Sequence, residues 1–325
     1  MKRFNVIWLS ICTKMKNQIL GLHHITAISS DAQKNYDFYT KFLGQRLVKR
    51  TVNFDDPNTY HFYFGDRIGT PGTIITFFPW EKMSLGKIGN AMATEIGFSV
   101  NKSSYDFWLG RLKEFNVPHS PVETYFGKDI IRFQDDDRLA FSLVFTDELM
   151  NVEPWESNGV AKPDTTRGFN NVVLTLRTID ATAAVLSDLL GYTEIVTEND
   201  VTRLNNHNDR FSFIDLKSNP LGKNGQVAAG NVHHIAFEVK DESILMEYRE
   251  KIASAGLHIT EKIDRDYFYS IYFREPGGVL FELATQNPGF DKDESISELG
   301  QNLRLPSQYE SMRSKISGQL PVLTL

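Results

Sequence analysis

A double histidine occurs twice in this chain, in Gly21-Leu-His-His-Ile-Thr-Ala-Ile and in Asn231-Val-His-His-Ile-Ala-Phe-Glu-Val, and a glutamate closes a third apolar segment, Gly277-Gly-Val-Leu-Phe-Glu282. Two imidazoles and one carboxylate carried on strands can hold a redox-active divalent metal on one face and leave its other positions open for substrate and O2. That donor set suggests Fe(II), with Mn(II) as a possible substitute. Alternate residues of a strand face the same way, so one histidine of each pair should point into a cleft. An isolated histidine is more often a core or surface residue. Two equivalent pairs and a carboxylate inside a repeat favour ligation instead, by His24, His234 and Glu282. His61, His119, His207 and His258 lack such pairing and read as structural residues.

The elements that must position these groups repeat. After His24 come Ser30 and Asp31 as N-cap candidates, Tyr36, Tyr39, Phe42 and Leu43 at helical spacing, and Gly44 as a stop. After His234 the same order appears, with Asp241, then Leu245, Tyr248 and Ile252, then Gly256. Two segments follow the template without histidine, one from Glu95 to Asn116 and one from Asn171 to Gly191. Each helix precedes two or three short alternating segments such as Thr59-Tyr-His-Phe-Tyr-Phe and Thr73-Ile-Ile-Thr-Phe-Phe. The sequence therefore predicts an α+β fold of four βαβββ modules.

Residues 1–19 read as an N-terminal extension, 20–150 as a first pair of modules, and 151–166, with Pro154 and Pro163, as a linker. Residues 167–290 read as the second pair and 291–325 as a tail that could fold back over the cleft as a lid. Aligning the modules puts His24, Glu95, Asn171 and His234 at one strand position and Thr76 opposite Glu282. The ligands then come from modules one and four alone. Those two modules must pair around the metal, and modules two and three must form a second, metal-free barrel-like half.

Four such modules with these histidine motifs resemble the vicinal-oxygen-chelate superfamily of glyoxalases, bleomycin-resistance proteins and extradiol dioxygenases. Within it, Gln45-Arg-Leu-Val-Lys-Arg-Thr-Val-Asn-Phe-Asp-Asp, Tyr60-His-Phe-Tyr-Phe-Gly-Asp, Gly69-Thr-Pro-Gly-Thr and Phe77-Phe-Pro-Trp resemble the dioxygenases that cleave para-hydroquinones. The resemblance spans residues 20–290 and implies a small aromatic substrate opened with O2. It also implies that Arg265 and Tyr272 lie near the substrate, where they could stabilise developing negative charge. Likewise it implies that His23 and His233 lie near the active centre, although strand alternation turns them away; a bulge at the strand start would reconcile the two. Phe77, Phe78, Trp80, Phe268 and Tyr269 are candidates for walls around a flat ring. The competing activities are a glyoxalase-like isomerase or thiol transferase and a non-catalytic ligand-binding protein. Thr76 in the place of a fourth ligand argues against the first pair, and a complete triad argues against the last.

Composition agrees with an enzyme acting on a small molecule. The chain has 325 residues, 41% of them hydrophobic, and a net charge of −6, which leaves no electrostatic footprint for nucleic acid or an anionic membrane. Cys12 is the single cysteine, so no disulfide framework exists and a reducing cytoplasm is expected. The basic and apolar run Met1-Lys-Arg-Phe-Asn-Val-Ile-Trp-Leu-Ser-Ile-Cys is read as an extension or upstream start ahead of Met15. Edge strands and aromatic surface suit a homodimer.

Overall fold

The computed structural model describes residues 18–206 and 212–325. Cys12, the run before Met15, His207 and Phe211 lie outside the described residues. Module one consists of β1 (Leu22–Ser29), α1 (Ala32–Asp37), β2 (Arg46–Val52), β3 (Tyr60–Gly65) and β4 (Ile74–Pro79). Module two consists of β5 (Met92–Asn101), α2 (Tyr105–Glu114), β6 (Glu123–Tyr125), β7 (Lys128–Gln134) and β8 (Ala140–Thr146). Module three consists of β9 (Phe169–Leu176), α3 (Asp180–Ala184), β10 (Thr193–Glu198), β11 (Val201–Asn205) and β12 (Phe213–Ser218). Module four consists of β13 (Asn231–Val239), α4 (Glu242–Ser254), β14 (Ile263–Asp264), β15 (Phe268–Arg274) and β16 (Leu280–Pro288).

Local chemistry explains the module ends. Asp31 and Asp241 cap α1 and α4 by accepting from the backbone N–H of Lys34 and Ile244 at 2.9 and 3.1 Å. The chain leaves the four helical segments at Gly44, Asn116, Gly191 and Gly256, whose φ values of 67°, 53°, 72° and 83° put all four in the left-handed region. Glycine reaches that region without the steric cost a side chain brings, and asparagine tolerates it.

The strands form two eight-stranded sheets, β14-β15-β16-β13-β1-β4-β3-β2 and β10-β11-β12-β9-β5-β8-β7-β6. Modules one and four thus share one sheet and modules two and three the other. β1 and β13 run antiparallel at the centre of the first sheet, joining segments about two hundred residues apart, and β5 and β9 pair antiparallel at the centre of the second across a much shorter separation. β1 is buried along its whole length because one face packs under helices and the other faces the sheet's concave interior.

The second half differs chemically from the first at matching positions. Strand register equates Glu95, Asn171, Ser142 and Asp215 there with His24, His234, Thr76 and Glu282, and Arg132 and Arg203 with Tyr63 and Tyr272. Arg203 holds the fully buried Asp215 through two bonds of 2.7 and 2.8 Å, and Arg132 holds Glu95 at 2.9 Å. Guanidinium groups therefore supply the positive charge that a metal would supply in the first half. Among the described residues, His24, His234 and Glu282 form the one group of three metal-capable side chains.

The tail does not cover the cleft. It pairs with the outer strand β2, where Arg304 N–H donates to the Arg50 carbonyl at 2.9 Å, and it continues into α5 (Arg313–Gln319). It is anchored by Lys49, whose fully buried Nζ lies 2.6 Å from both Asp293 and Glu294. None of the tail's residues lines the cleft described below. One of them reaches its wall indirectly: the Tyr309 hydroxyl donates to the Phe54 carbonyl at 2.6 Å.

Candidate metal centre and active site

The site is built on two adjacent rows of the first sheet. One row runs Ile74–His24–Ala236–Glu282–Tyr272, and the next runs Tyr63–Thr76–Thr26–His234. Residues paired across a sheet project to one side, so both rows deliver their side chains to the concave face. The Glu282 Oε2 atom lies 3.2 Å from His24 Nε2 and 2.9 Å from His234 Nε2, and the two Nε2 atoms are 3.4 Å apart. Three ligand atoms thus converge on one point, and all three residues are buried.

These groups suit a cation. Burial by itself would raise the Glu282 pKa, but His24 and His234 hold it well below the usual carboxylate range, so the group stays ionised. Burial lowers His234, which keeps a lone pair for coordination. Neither Glu282 oxygen accepts a well-formed hydrogen bond. Two imidazole nitrogens and a carboxylate directed at one another are the donor set of a divalent transition metal.

The second histidines sit at bulges. Pairing of β1 with β13 slips between Leu22 and His24, where two steps on β1 match one on β13, and slips the opposite way between Thr26 and Ala27. His23 and His233 are the extra residues at these slips. Alternation alone would have sent both rings to the far face. With the bulges, His23 Nδ1 lies 2.8 Å from His24 Nδ1, and His233 Nδ1 lies 2.8 Å from His234 Nδ1. His23 Nε2 is 3.1 Å from the Thr285 carbonyl, to which it can only donate. In the tautomer in which His23 donates there and accepts at Nδ1, His24 donates its Nδ1–H and turns the lone pair of Nε2 to the site. Replacing His23 with leucine should lower metal affinity roughly 10–100-fold while the fold persists, measurable by competition with a chromophoric chelator.

The ligands open on a cleft of about 440 Å³. Phe54, Phe78, Trp80 and Phe268 form its apolar walls, and Asn53, Asp55, Thr260, Arg265 and Tyr272 are among its polar ones. Arg265 stacks between Phe54 and Tyr272, its guanidinium carbon 5.4 Å from each ring centre. Burial pushes the Tyr272 phenol well up, so it remains a proton donor. Two expected wall residues are absent from the cleft. Phe77 pairs with Ala27, points to the opposite face and packs 4.6 Å from Tyr39, and Tyr269 packs half-buried against the hydrophobic core with Lys262 Nζ 4.8 Å from its ring centre. Conversely, His61, read as structural, lines the cleft, as do Asn53, Asp55 and Asp56. Asp56 accepts from Trp80 Nε1 at 2.9 Å and so orients that ring. Nothing periodic marks these loop residues, although they fall within the Asn53-Phe-Asp-Asp end of the long first-module motif.

The model of the Glyoxalase/Bleomycin resistance protein/Dioxygenase superfamily matches residues 21–143 and 168–283. The chain belongs to this superfamily. Within the superfamily it groups with the ring-cleaving dioxygenases. It is 42% identical over 308 residues, 94% of this chain and 98% of the other, to the Bacillus subtilis (strain 168) protein named "Putative ring-cleaving dioxygenase MhqO". It is 30% identical, over 93% of this chain and 96% of the other, to the "Chlorohydroquinone/hydroquinone 1,2-dioxygenase" of Sphingobium indicum. A crystal structure titled as a putative dioxygenase from Bacillus subtilis superposes with a TM-score of 0.92 at 40% identity, covering 95% of this chain and 99% of that one. Glyoxalase I from Zea mays shares the superfamily fold at a TM-score of 0.62 and 14% identity, over 82% of this chain and 92% of its own.

Proposed function

We propose that the protein is an Fe(II)-dependent dioxygenase that opens a hydroquinone-type ring with O2 in an extradiol-like manner. The observation that carries this reading is the convergence of two buried imidazoles and one carboxylate, all within 4.8 Å of one another, at the end of an aromatic-walled cleft. The relative named a chlorohydroquinone/hydroquinone 1,2-dioxygenase supports the substrate class. When bound, Fe(II) would acidify a ring hydroxyl and couple the electrons of the ring to O2; Mn(II) is the alternative ion.

The chain's own residues supply the rest. Phe54, Phe78, Trp80 and Phe268 hold a flat ring and exclude water from it. Arg265, fixed between two aromatic rings, offsets negative charge that develops on the substrate oxygens. Tyr272, beside Glu282 in the strand register, donates a hydrogen bond at the same place. His23 and His233 hold the ligand imidazoles in the required tautomer. A glyoxalase-like isomerase or thiol transferase fits less well, because Thr76, in the position of a fourth ligand, is engaged with Thr26 and His61 at 2.8 and 3.0 Å. A purely ligand-binding protein would not require three converged metal donors. With only Cys12 in the chain, the cytoplasm is the proposed compartment.

Anaerobic loading with Fe(II), followed by O2-electrode measurement with hydroquinone and chlorohydroquinone, tests the reading; O2 uptake matched to ring-opened product is expected, and its absence with full iron content would defeat it. Arg265→Ala and Tyr272→Phe should retain the metal and lower kcat/KM by roughly 10–1000-fold, the scale of losing one transition-state charge stabiliser. Metal loss with unchanged turnover per metal would assign them to the metal site instead.

A further inference from the structure

His61 links Tyr63 to a buried hydrogen-bond chain that enters the candidate site. The Tyr63 hydroxyl lies 2.9 Å from His61 Nδ1, His61 Nε2 lies 3.0 Å from Thr76 Oγ1, and Thr76 Oγ1 lies 2.8 Å from Thr26 Oγ1. Tyr63, Thr76 and Thr26 share the sheet row that ends at His234, and Thr26 lines the cleft beside His24 and His234.

The chain has a preferred direction. Burial holds His61 well below the ordinary histidine range and Tyr63 well above the ordinary phenol range, so the imidazole is neutral and the phenol keeps its proton. A neutral imidazole donates from one nitrogen and accepts at the other. If Nδ1 donated to Tyr63, the buried Tyr63 hydroxyl, whose hydrogen-bond partner among the described residues is His61, would be left to aim its hydrogen at the cleft it lines, a costly arrangement while the cleft offers no acceptor. Tyr63 therefore donates to Nδ1, Nε2–H donates to Thr76, and Thr76 donates to Thr26. The one hydroxyl hydrogen left unassigned is that of Thr26, at the cleft.

We propose that His61 and Tyr63 are positioning residues that orient this chain so that the Thr26 hydroxyl donates a hydrogen bond to the anionic oxygen of a phenolic ligand bound at the metal centre. The inference rests on the proposed phenol-binding function. It concerns specificity for an ionised ring hydroxyl and adds residues that act through Thr26 without touching the metal ligands. No proton is transferred along the chain; its direction alone matters. Without Tyr63 or His61 the chain is free to reverse, and the Thr26 hydrogen then turns to Thr76 and away from the cleft.

The test uses the Fe(II)-loaded full chain with 4-nitrophenol, whose phenolate form is read by its visible absorbance, together with hydroquinone turnover. Tyr63→Phe and Thr26→Val remove single hydroxyl groups with little change of shape. Each should weaken 4-nitrophenolate binding and lower kcat about ten-fold, the scale of a hydrogen bond to a charged group, with metal content unchanged. The double variant should be no worse than Thr26→Val, because the distant hydroxyl acts only through the near one. His61→Phe should match Thr26→Val. Unchanged phenolate binding in Tyr63→Phe, or losses that multiply in the double variant, would overturn the proposal. Wild-type protein that holds iron but neither binds 4-nitrophenol nor consumes O2 would defeat the proposed function itself, and this inference with it.

Discussion

Replacing His24, His234 or Glu282 with alanine is expected to remove stoichiometric iron and to abolish ring cleavage. Each residue supplies one of three converging candidate ligand atoms, and among the described residues no further histidine, cysteine or carboxylate joins the group within 4.8 Å. A fall in turnover of at least about 10³-fold is expected, since metal acidification of the substrate hydroxyl and the electron route to O2 would be lost together. The folded protein should survive, because the donors face a cavity and the strands that carry them are anchored on their other face. Iron analysis by mass spectrometry and O2 uptake on the same samples decide the matter. Full iron content with wild-type turnover in His24→Ala would show that the metal lies elsewhere.

A comparably large effect, on stability, is expected at Lys49. Its ammonium is fully buried between Asp293 and Glu294, and Glu294 is itself only 4% exposed. Lys49→Ala would leave a buried carboxylate with the more distant Arg304, at 3.5 Å, and Arg46 as its counter-charges. Removal of one partner from such a pair costs on the order of 3 kcal/mol or more. Urea unfolding should register this loss, and limited proteolysis should show the tail released first, since the pair ties it to β2. The double variant Lys49→Met, Glu294→Leu should recover much of the loss, because both desolvated charges are then gone. A single variant as stable as the wild type would show that the tail is held by its apolar contacts alone.

Much of this molecule is legible one segment at a time. The caps at Asp31 and Asp241, the left-handed exits at Gly44, Asn116, Gly191 and Gly256, and the strand after each helix all follow from interactions within a few residues. Because those local signals recur, the four modules can be aligned, and alignment by itself selects His24, His234 and Glu282 and pairs module one with module four.

Other features depend on which strands meet. The bulges that bring His23 and His233 back to their neighbours arise from the register of β1 against β13, strands from opposite ends of the chain. A period of two residues predicts the direction of a side chain only while the register is unbroken. His61 carries no pairing signal in the sequence; its role comes from Tyr63 and Thr76, which only the sheet brings to it. The tail could be read as a lid because an amphipathic segment says nothing about which surface it covers. The unpaired edge of β2 and the buried Lys49 decide that it covers the sheet's edge. Residue types and local spacing thus determined the candidate donors and the repeat, while register, bulges and charge pairing, which are properties of contacts distant in sequence, decided how those residues are oriented and what surrounds them.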